Sequence, residues 1–264
     1  CKVDDEMCSL LGGLCRSLQT LDLWNCGEVT SGGVADILVP SLKELNLREC
    51  QELVGSAFVE ALQTKRPALI TLDIASAGRW TAEDLLRVVE LQGGTLSCLN
   101  CGGRNIRLSE DFLKALPEGL LSLDLADSRG HVDFGLLAKL RGLSSLSLDN
   151  CEATPDHIMQ LLGNCPLTSL CIGGCNLSNE GLERIATACP GLLYLDVRGS
   201  TLLQEEGFRH LMRTCRRLVF LGMSRCSSIP DSAIADFHNS LPACDLSIGD
   251  TSPIWGGQKQ YLQC

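Results

Sequence analysis

The side chains in this chain that could do chemistry are 16 cysteines and four histidines. Cysteines can form disulfides, bind zinc or act as nucleophiles, and their spacing separates these roles. Cys98-x-x-Cys101 has the spacing of half a zinc site. The segment around it alternates as a β-strand does, and residues three apart on a strand face opposite sides. The two thiols therefore cannot hold one metal ion, and we predict no metal site.

Catalysis by a cysteine needs a neighbouring histidine that is oriented by a third group. The histidines fall in segments with helical spacing, or in the approaches to them, at His131, His157, His210 and His238. No glycine cluster has the form of a phosphate-binding loop. We therefore predict no catalytic residues, no cofactor and no enzymatic activity.

Many of the cysteines belong to a sequence motif, L-x-x-L-x-L-x-x-C, that recurs along the chain, as at residues 167–175. The first residue of each motif, which we number position one, recurs every 23 to 27 residues. These residues are Leu18, Leu42, Leu69, Leu96, Leu120, Leu143, Leu167, Leu192, Leu218 and Ala243. Positions four and six are apolar in every repeat. One such unit cannot bury its own apolar face, but a row of them can.

Each repeat combines a strand with a helix. Positions four and six should face the core, while positions three, five and seven face the other side. The second half of a repeat has apolar residues at i, i+3 and i+7, as at Leu182, Ile185 and Cys189, which predicts a buried helical stripe. The stripe recurs at Ile158, Leu161 and Cys165 and at Phe208, Leu211 and Cys215. Helices should begin after the capping residues Thr30, Thr81, Ser109, Thr154 and Ser178.

These patterns predict an α/β fold, a leucine-rich-repeat solenoid of about ten β-α repeats. Strands in neighbouring repeats should run parallel, about 4.8 Å apart. Because helices are wider than strands, we expect the row to bend into a horseshoe with the parallel sheet on its concave face.

The amino-acid sequences of the repeats resemble those of a known protein family. Units such as CNLSNEGLERIATACPGLLYLDV and CSSIPDSAIADF place a cysteine after the strand and a Cys-Pro or Cys-Arg before the next leucine. Over residues 1 to about 251 the chain resembles the cysteine-containing repeats of F-box/LRR proteins, which are ribonuclease-inhibitor-like. The strand-end cysteine is replaced at Ala77, Arg104, Ser128, Ser200 and Thr251.

The resemblance implies an α/β horseshoe and a role in binding other proteins. In many members of this family an F-box recruits a Skp–cullin ubiquitin ligase and the repeats hold its substrate. Other relatives without an F-box act in cell-cycle or signalling control. No F-box is visible in the chain, so recruitment of Skp would depend on residues upstream of Cys1.

The domain boundaries follow from the repeats. We assign residues 1–251 to one leucine-rich-repeat domain. Cys8, Leu11 and Cys15 match the helical stripe, so the chain should begin inside the helix of an incomplete repeat, with more protein before it. Residues 252–264 fit no repeat and form either a cap over the end of the core or a tail.

Most of the cysteines occupy fixed positions in the repeats. Five are at position nine, four end helices, and Cys8 and Cys101 take inward core positions. Position nine also accepts alanine, serine and threonine, which indicates a need for a small side chain and not for a disulfide. We expect reduced, buried thiols and hence a cytoplasmic or nuclear protein. Cys98 and Cys171 are the two thiols expected on the concave face.

The amino-acid composition limits the classes of partner that the chain is expected to bind. A net charge of −10 disfavours nucleic acid and anionic membranes, which both prefer a basic surface. No apolar run approaches the roughly 20 residues that a membrane-spanning helix needs. We therefore predict a protein partner or substrate on the concave face.

Position five supplies a polar column on that face, which continues with smaller residues in the later repeats. Its acidic and amide members are Asp22, Asn46, Asp73, Asn100, Asp124 and Asp196. The column could bind a basic or hydrogen-bond-rich peptide, or it could simply suit a solvated row of strands. The sequence leaves both interpretations open.

Aromatic and arginine side chains supply two candidate anchors. Tyr194 and Phe220 occupy position three of adjacent repeats and should lie side by side, with Arg198 at position seven nearby. Trp24 and Arg48 occupy position seven of the first two repeats, close enough for a cation–π contact. Aromatic and arginine side chains dominate the energetics of many protein interfaces.

Two functions remain from the sequence. The chain could form the substrate-recognition repeats of an SCF-type (F-box) ubiquitin ligase. It could instead be a regulatory or inhibitory scaffold without an F-box.

Overall fold

The computed structural model describes residues 2–162 and 166–248, without the side chains of residues 155, 161 and 162. The chain divides into two compact units, Cys1–Val132 and Asp133–Cys264, which we call the N-terminal and C-terminal units. The predicted roles of Leu161 and Cys165 in a helical stripe, and of residues 252–264 as a cap or tail, lie outside this description.

The N-terminal unit alternates five helices with five strands. Its helices are α1 (Asp5–Leu14), α2 (Ser31–Ile37), α3 (Gly55–Lys65), α4 (Ala82–Gln92) and α5 (Glu110–Ala115). Its strands are β1 (Thr20–Asp22), β2 (Glu44–Asn46), β3 (Thr71–Asp73), β4 (Cys98–Asn100) and β5 (Ser122–Asp124). Each strand pairs in parallel with the next one along the chain.

The C-terminal unit begins with a 3-10 helix at Phe134–Lys139 and continues in the same alternation. Its strands are β6 (Ser145–Ser147), β7 (Ser169–Cys171), β8 (Tyr194–Asp196), β9 (Phe220–Gly222) and β10 (Asp245–Ser247). Its α-helices are α6 (Pro155–Leu162), α7 (Asn179–Ala188), α8 (Glu205–Thr214) and α9 (Asp231–Ser240). Consecutive strands are again parallel neighbours.

All ten strands of the described residues begin and end at the same positions of their repeats. Each covers positions three to five, and the pairing aligns equal positions, so that Leu45 lies opposite Leu72 and Leu195 opposite Leu221. Position-four leucines are at most 3% exposed from β2 to β9. The predicted α/β leucine-rich-repeat solenoid is confirmed.

The residues predicted to cap helices are N-cap residues in the structure. Thr30 and Ser178 accept hydrogen bonds from the first-turn amides of Gly32 and Gly181. Thr81 forms a reciprocal capping box with Asp84. Ser109 and Thr154 cap their helices through the amides three residues later. None of the helices within the described ranges combines the length and hydropathy needed to cross a bilayer.

Each strand ends in the same backbone turn. Position eight has a positive φ in nine successive repeats, a region that L-residues other than Asn, Asp and Gly seldom adopt. These residues are Asn25, Glu49, Ser76, Gly103, Asp127, Asn150, Gly174, Gly199 and Arg225. The turn brings position nine back over the core, where its amide donates to the carbonyl of position six, as from Cys50 to Leu47.

The thiols at position nine use this geometry. Cys50 Sγ donates to Leu23 O of the preceding repeat at 3.1 Å, and Cys226 Sγ to Val197 O at 3.6 Å. At the helix ends, Cys215 Sγ lies 3.6 Å from Cys189 O. A small side chain with a weak donor therefore links one repeat to the previous one.

Eleven of the described cysteines carry no disulfide. They are Cys8, Cys15, Cys50, Cys101, Cys151, Cys171, Cys175, Cys189, Cys215, Cys226 and Cys244. All are buried except Cys15, which is half-buried. Cys26 and Cys98 are corrections to the expectation, since each is disulfide-bonded. They lie three strands apart, too far to be bonded to each other.

Two of the buried thiols hold their protons tightly. Burial raises the pKa of Cys175 and of Cys215 to about 12. The proton is held because the buried thiolate would be desolvated, and at Cys175 also because the Asp149 carboxylate lies nearby. The unfolded chain releases these protons from about pH 9, so the free energy of unfolding should fall as the pH rises above 9.

We predict that a Cys175→Ala/Cys215→Ala variant loses less stability than the wild type between pH 7 and pH 10, by about 1 kcal/mol per thiol. Urea unfolding at both pH values under a reductant measures this difference. An equal loss of stability in the two proteins would contradict the proposed role of these thiols.

Candidate functional site

The side chains at positions three, five and seven form what we call the strand face of each unit. Its polar column has a structural role that begins with the backbone. The amides of positions six and eight donate to carbonyls of the next repeat, as from Leu23 to Asn46 and from Asn25 to Arg48. Where position five is aspartate or asparagine, the amide of position seven has no such backbone acceptor and needs a different one.

Aspartate and asparagine at position five supply that acceptor. Their Oδ1 atoms accept a hydrogen bond from the amide two residues later at 2.9 to 3.3 Å, an Asx-turn geometry. The donors and acceptors pair as Trp24 to Asp22, Arg48 to Asn46, Ala75 to Asp73, Gly102 to Asn100, Ala126 to Asp124 and Arg198 to Asp196. This repeated bond is sufficient to account for the residue types in the column.

Neighbouring members of the column are also bonded to each other in the N-terminal unit. Asn46 Nδ2 donates to Asp22 Oδ1 at 2.9 Å, and Asn100 Nδ2 donates to Asp73 Oδ2 at 3.1 Å. Alternation of aspartate with asparagine lets an amide separate successive carboxylates. Burial nevertheless raises the pKa of Asp73 to about 6, although hydrogen bonds from Ala75 and Asn100 lower it.

Exposure varies along the column. Asp22 is exposed and Asn46, Asp73 and Asn100 are half-buried. Asp124 and Asp196 are only 6% and 3% exposed. Both carboxylates are turned to the backbone by the amide that they accept.

The two thiols expected on the concave face are also buried. Cys171 is 1% exposed and Cys98 is 8% exposed. Cys171 is a small side chain in register with Asp196, and the Cys98 sulfur is in a disulfide. Neither thiol is presented to solvent.

Trp24 is an exposed aromatic side chain of the N-terminal unit, with 52% of its surface accessible. Its backbone is fixed by the bond from its amide to Asp22. The expected cation–π contact between Trp24 and Arg48, both described residues, is not observed, because Arg48 Nε is directed to Glu49 Oε1 at 3.7 Å. Trp24 and Arg48 therefore present separate groups on the strand face.

Tyr194 and Phe220 lie side by side as predicted. Their rings stack with centroids 5.1 Å apart and planes 17° from parallel. The expectation that both are exposed is wrong for Phe220, which is 8% exposed, because one face of its ring is covered by Tyr194. Tyr194 is half-buried and is the more accessible of the two.

Arg198 belongs to an ion-pair network that the sequence did not predict. Its guanidinium contacts the Asp149 carboxylate through Nη2 and lies 3.5 Å from Asp196 Oδ2 through Nη1. Asp149 also accepts the position-seven amide of Gly173, whose own repeat has a cysteine at position five and lacks the usual acceptor. Asp149 thus serves two neighbouring repeats.

Two glycines make room for this network. A Cβ at Gly173 would lie 2.6 Å from Arg198 Cγ, and a Cβ at Gly222 would lie 2.6 Å from Asp196 Cγ. Any side chain at these positions would displace the arginine or the carboxylate. These glycines on the strand face, one on each side of the repeat that carries Arg198, were the sequence signal that could have revealed the network.

The described residues contain no group of three or more His, Cys, Asp and Glu side chains arranged to hold a metal ion. His157 Nε2 lies 3.5 Å from Asp133 Oδ1 and its Nδ1 accepts from Thr154 N, which places it at a helix cap. His210 contacts Thr187 between two helices. These two imidazoles lie among the helices, away from the cysteines of the strand face.

Comparison with known proteins supports the repeat type. No family model matches the sequence. F-box/LRR-repeat protein 4 of Bos taurus is 41% identical over 54 residues, which are 20% of this chain and 9% of that protein. The chain therefore spans a small part of the curated relative that it matches.

Solved structures share the fold over nearly the whole chain. Rad7, in the yeast Rad7–Elc1 complex, superposes with a TM-score of 0.76 at 19% identity, over 92% of this chain and 65% of Rad7. A leucine-rich-repeat protein of Leptospira interrogans gives a TM-score of 0.56 at 19% identity, over 91% of this chain and 62% of that protein. A chain of the TLR13–ssRNA13 complex gives a TM-score of 0.53 at 16% identity, over 89% of this chain and 36% of that chain. The resemblance to F-box/LRR repeats is confirmed, and at these identities the structural matches establish the fold.

The raised pKa of Asp73 allows the burial of the polar column to be tested through the pH dependence of stability. Because the folded protein retains this proton up to about pH 6, while the unfolded chain loses it near 3.8, stability should fall as the pH rises through this interval. We predict that Asp73→Asn, which keeps an acceptor for Ala75, increases the free energy of unfolding at pH 7.5 by on the order of 1 kcal/mol more than at pH 4.

Chemical unfolding of both proteins at the two pH values measures the effect. The measurement at pH 4 is the internal control for any change in packing. A benefit that is the same at both pH values would contradict the assignment.

Proposed function

We propose that the chain is a protein-interaction module that holds a partner on its strand faces. The observation that carries this proposal is Trp24, a half-exposed aromatic side chain on a backbone fixed by Asp22. Large aromatic side chains held in position are typical anchors of protein interfaces, because they bury much apolar area at little cost in conformational entropy. No packing requirement of the repeat calls for a tryptophan at this position, which is alanine or glycine in the third, fourth and fifth repeats.

The groups around Trp24 define the chemistry of the partner. Asp22, Asn46 and Arg48 lie on the same face in adjacent repeats, and they offer a carboxylate, an amide and a guanidinium. The partner surface should therefore combine an apolar pocket or patch for the indole with both donors and acceptors at its edge. Asp73, Asn100 and Asp124 extend the same column across the unit.

In the C-terminal unit, the proposed contact group consists of Tyr194 and Arg198. Phe220 supports the tyrosine ring, and the buried Asp196 is an ion-pair partner of the arginine. The ion pairs of Arg198 and the stacking of Tyr194 fix both side chains before a partner arrives. Preorganisation of this kind reduces the entropy lost on binding. We assign no catalytic role to any of these residues and no role for nucleic acid or membranes as partners.

The finer proposal is that these repeats recognise the substrate of an SCF-type ubiquitin ligase. Its support is the sequence similarity to F-box/LRR-repeat protein 4 and the structural similarity to Rad7, which was solved in complex with Elc1. Recruitment of Skp and cullin would be the task of a segment outside this sequence. We also propose a cytoplasmic or nuclear location on the basis of the eleven cysteines without disulfides, to which the disulfides of Cys26 and Cys98 are the exception.

A test of the interaction module is the substitution Trp24→Ala. We expect at least about a tenfold loss of affinity for a partner captured by the wild type, which is the effect of removing an interface anchor. Leu202→Ala is the matched control, since Leu202 is 55% exposed but lies outside the strand faces. Equal affinity of the two variants, at equal thermal stability, would remove Trp24 from the interface.

A test of the ligase role uses the full-length gene product in cells. We expect it to co-purify with Skp and cullin subunits, and we expect a bound partner to be stabilised when the proteasome is inhibited. Recovery of a partner without either subunit would instead favour a regulatory or inhibitory scaffold.

A further inference from the structure

A groove between α8 and α9 is lined by arginines, although the chain as a whole is acidic. Arg209, Met212, Arg213 and Arg216 form one side, and Asp236 and Asn239 contribute to the other. The cavity measures about 610 Å³. It lies among the helices and contains none of the residues assigned to the strand faces.

The arginines of this groove are not equivalent. Arg209 is neutralised by Glu205 at 2.7 Å and by Asp236 at 2.8 Å. Arg213 and Arg216 are exposed, and within the part of the chain that the structure describes neither forms an ion pair. Arg216 Nε donates to the Arg213 carbonyl at 3.2 Å, and both residues line the groove. Two positive charges thus have no carboxylate partner among the described residues of a chain whose net charge is −10.

The repeat framework does not require these arginines. The corresponding positions are Glu183, Thr187 and Pro190 in the preceding repeat, and Ala235, Asn239 and Pro242 in the following one. A basic residue in the last turn of a helix is stabilised by the helix dipole, which would account for Arg213. It does not account for a stripe of three arginines that extends past the end of α8.

We propose that this groove binds a short acidic peptide segment of another protein. A guanidinium matches a carboxylate or a phosphate with two parallel hydrogen bonds, so Arg213 and Arg216 can hold the acidic side chains. Asn239 and Ser240, in the last turn of α9, line the same groove, and the last carbonyls of a helix have no helical donor and can accept peptide amides.

The same features disfavour nucleic acid. A phosphodiester backbone brings acceptors to the groove and no amide donors. The net charge of the chain would further oppose a long polyanion. A peptide with a few acidic residues meets the two arginines without approaching the rest of the acidic surface.

Fluorescence anisotropy with the 264-residue chain tests the proposal. The probes are a short labelled peptide with several glutamates, the same peptide with phosphoserines in their place, and a neutral version with glutamines. A labelled single-stranded DNA of similar length is the fourth probe. We expect at least one acidic peptide to bind, the neutral peptide not to bind, and added salt to weaken the complex.

The first variant is Arg213→Glu/Arg216→Glu, which should weaken the acidic peptide by more than about tenfold. Its matched control is Arg107→Glu/Arg129→Glu, because these arginines are also exposed neighbours and the change in net charge is the same. We expect the control to change affinity by less than about threefold, as a long-range charge effect screened by salt. Equal losses in the two variants would overturn the proposal.

A second variant gives an effect that misfolding cannot produce. Asp236→Asn removes the carboxylate from the groove and leaves Arg209 paired with Glu205 alone, so it should tighten binding of the acidic peptide by about threefold. Weaker or unchanged binding in this variant would count against the groove. Failure of both acidic peptides to bind the wild type, or tighter binding of the DNA than of either peptide, would overturn the proposal, while leaving the strand-face function to its own tests.

Discussion

The turn at the end of each strand is the constraint on which the rest of the structure depends. Strands of three residues leave little room for regular pairing, and position eight must adopt a positive φ to turn the chain back over the core. The amides on either side of position seven find carbonyls in the next repeat, but the amide of position seven does not. An uncompensated backbone donor is costly, so each repeat needs a side-chain acceptor at this point. Aspartate or asparagine at position five is the local solution.

This constraint explains why some polar side chains on the strand face are present: they are hydrogen-bond acceptors for the backbone. A carboxylate that accepts the backbone amide two residues later already has a structural role, and its residue type follows from the repeat. The repeat with Cys171 at position five lacks this acceptor. There Asp149, from the preceding repeat, accepts the amide of Gly173 instead. Its ion pair with Arg198 then follows from the position that this hydrogen bond imposes. A largely buried ion pair of this kind adds little net stability, but loss of one partner would leave an uncompensated charge. Its effect is to fix the arginine on the strand face.

Local patterns in the sequence were sufficient to predict the strands and the helix starts. Leucines at fixed positions give each strand its register, and Thr30, Thr81 and Ser178 cap helices within one turn of their own position. The ion pair of Arg198 with Asp149 could not be predicted in this way, because the two residues are 49 positions apart and meet across an intervening strand. The burial of Phe220 also depends on a neighbour in another repeat, and the disulfides of Cys26 and Cys98 contradict the pattern of position nine and of the strand face. Contacts between repeats were therefore predicted only where equal positions lie opposite each other.

In a repeat protein, the residues that depart from the repeat are the better guide to function, since the framework explains the ones that recur. Trp24 occupies a position where several other repeats have alanine or glycine, and it remains exposed on a fixed backbone. The stripe of arginines on α8 has no counterpart on α7 or α9, and it retains two charges that no carboxylate of the described residues neutralises. The Asp and Asn column recurs, and its hydrogen bonds to the backbone account for it. Specific recognition should therefore reside in the tryptophan and the arginines, whereas the column sets the spacing and the polarity of the surface around the tryptophan.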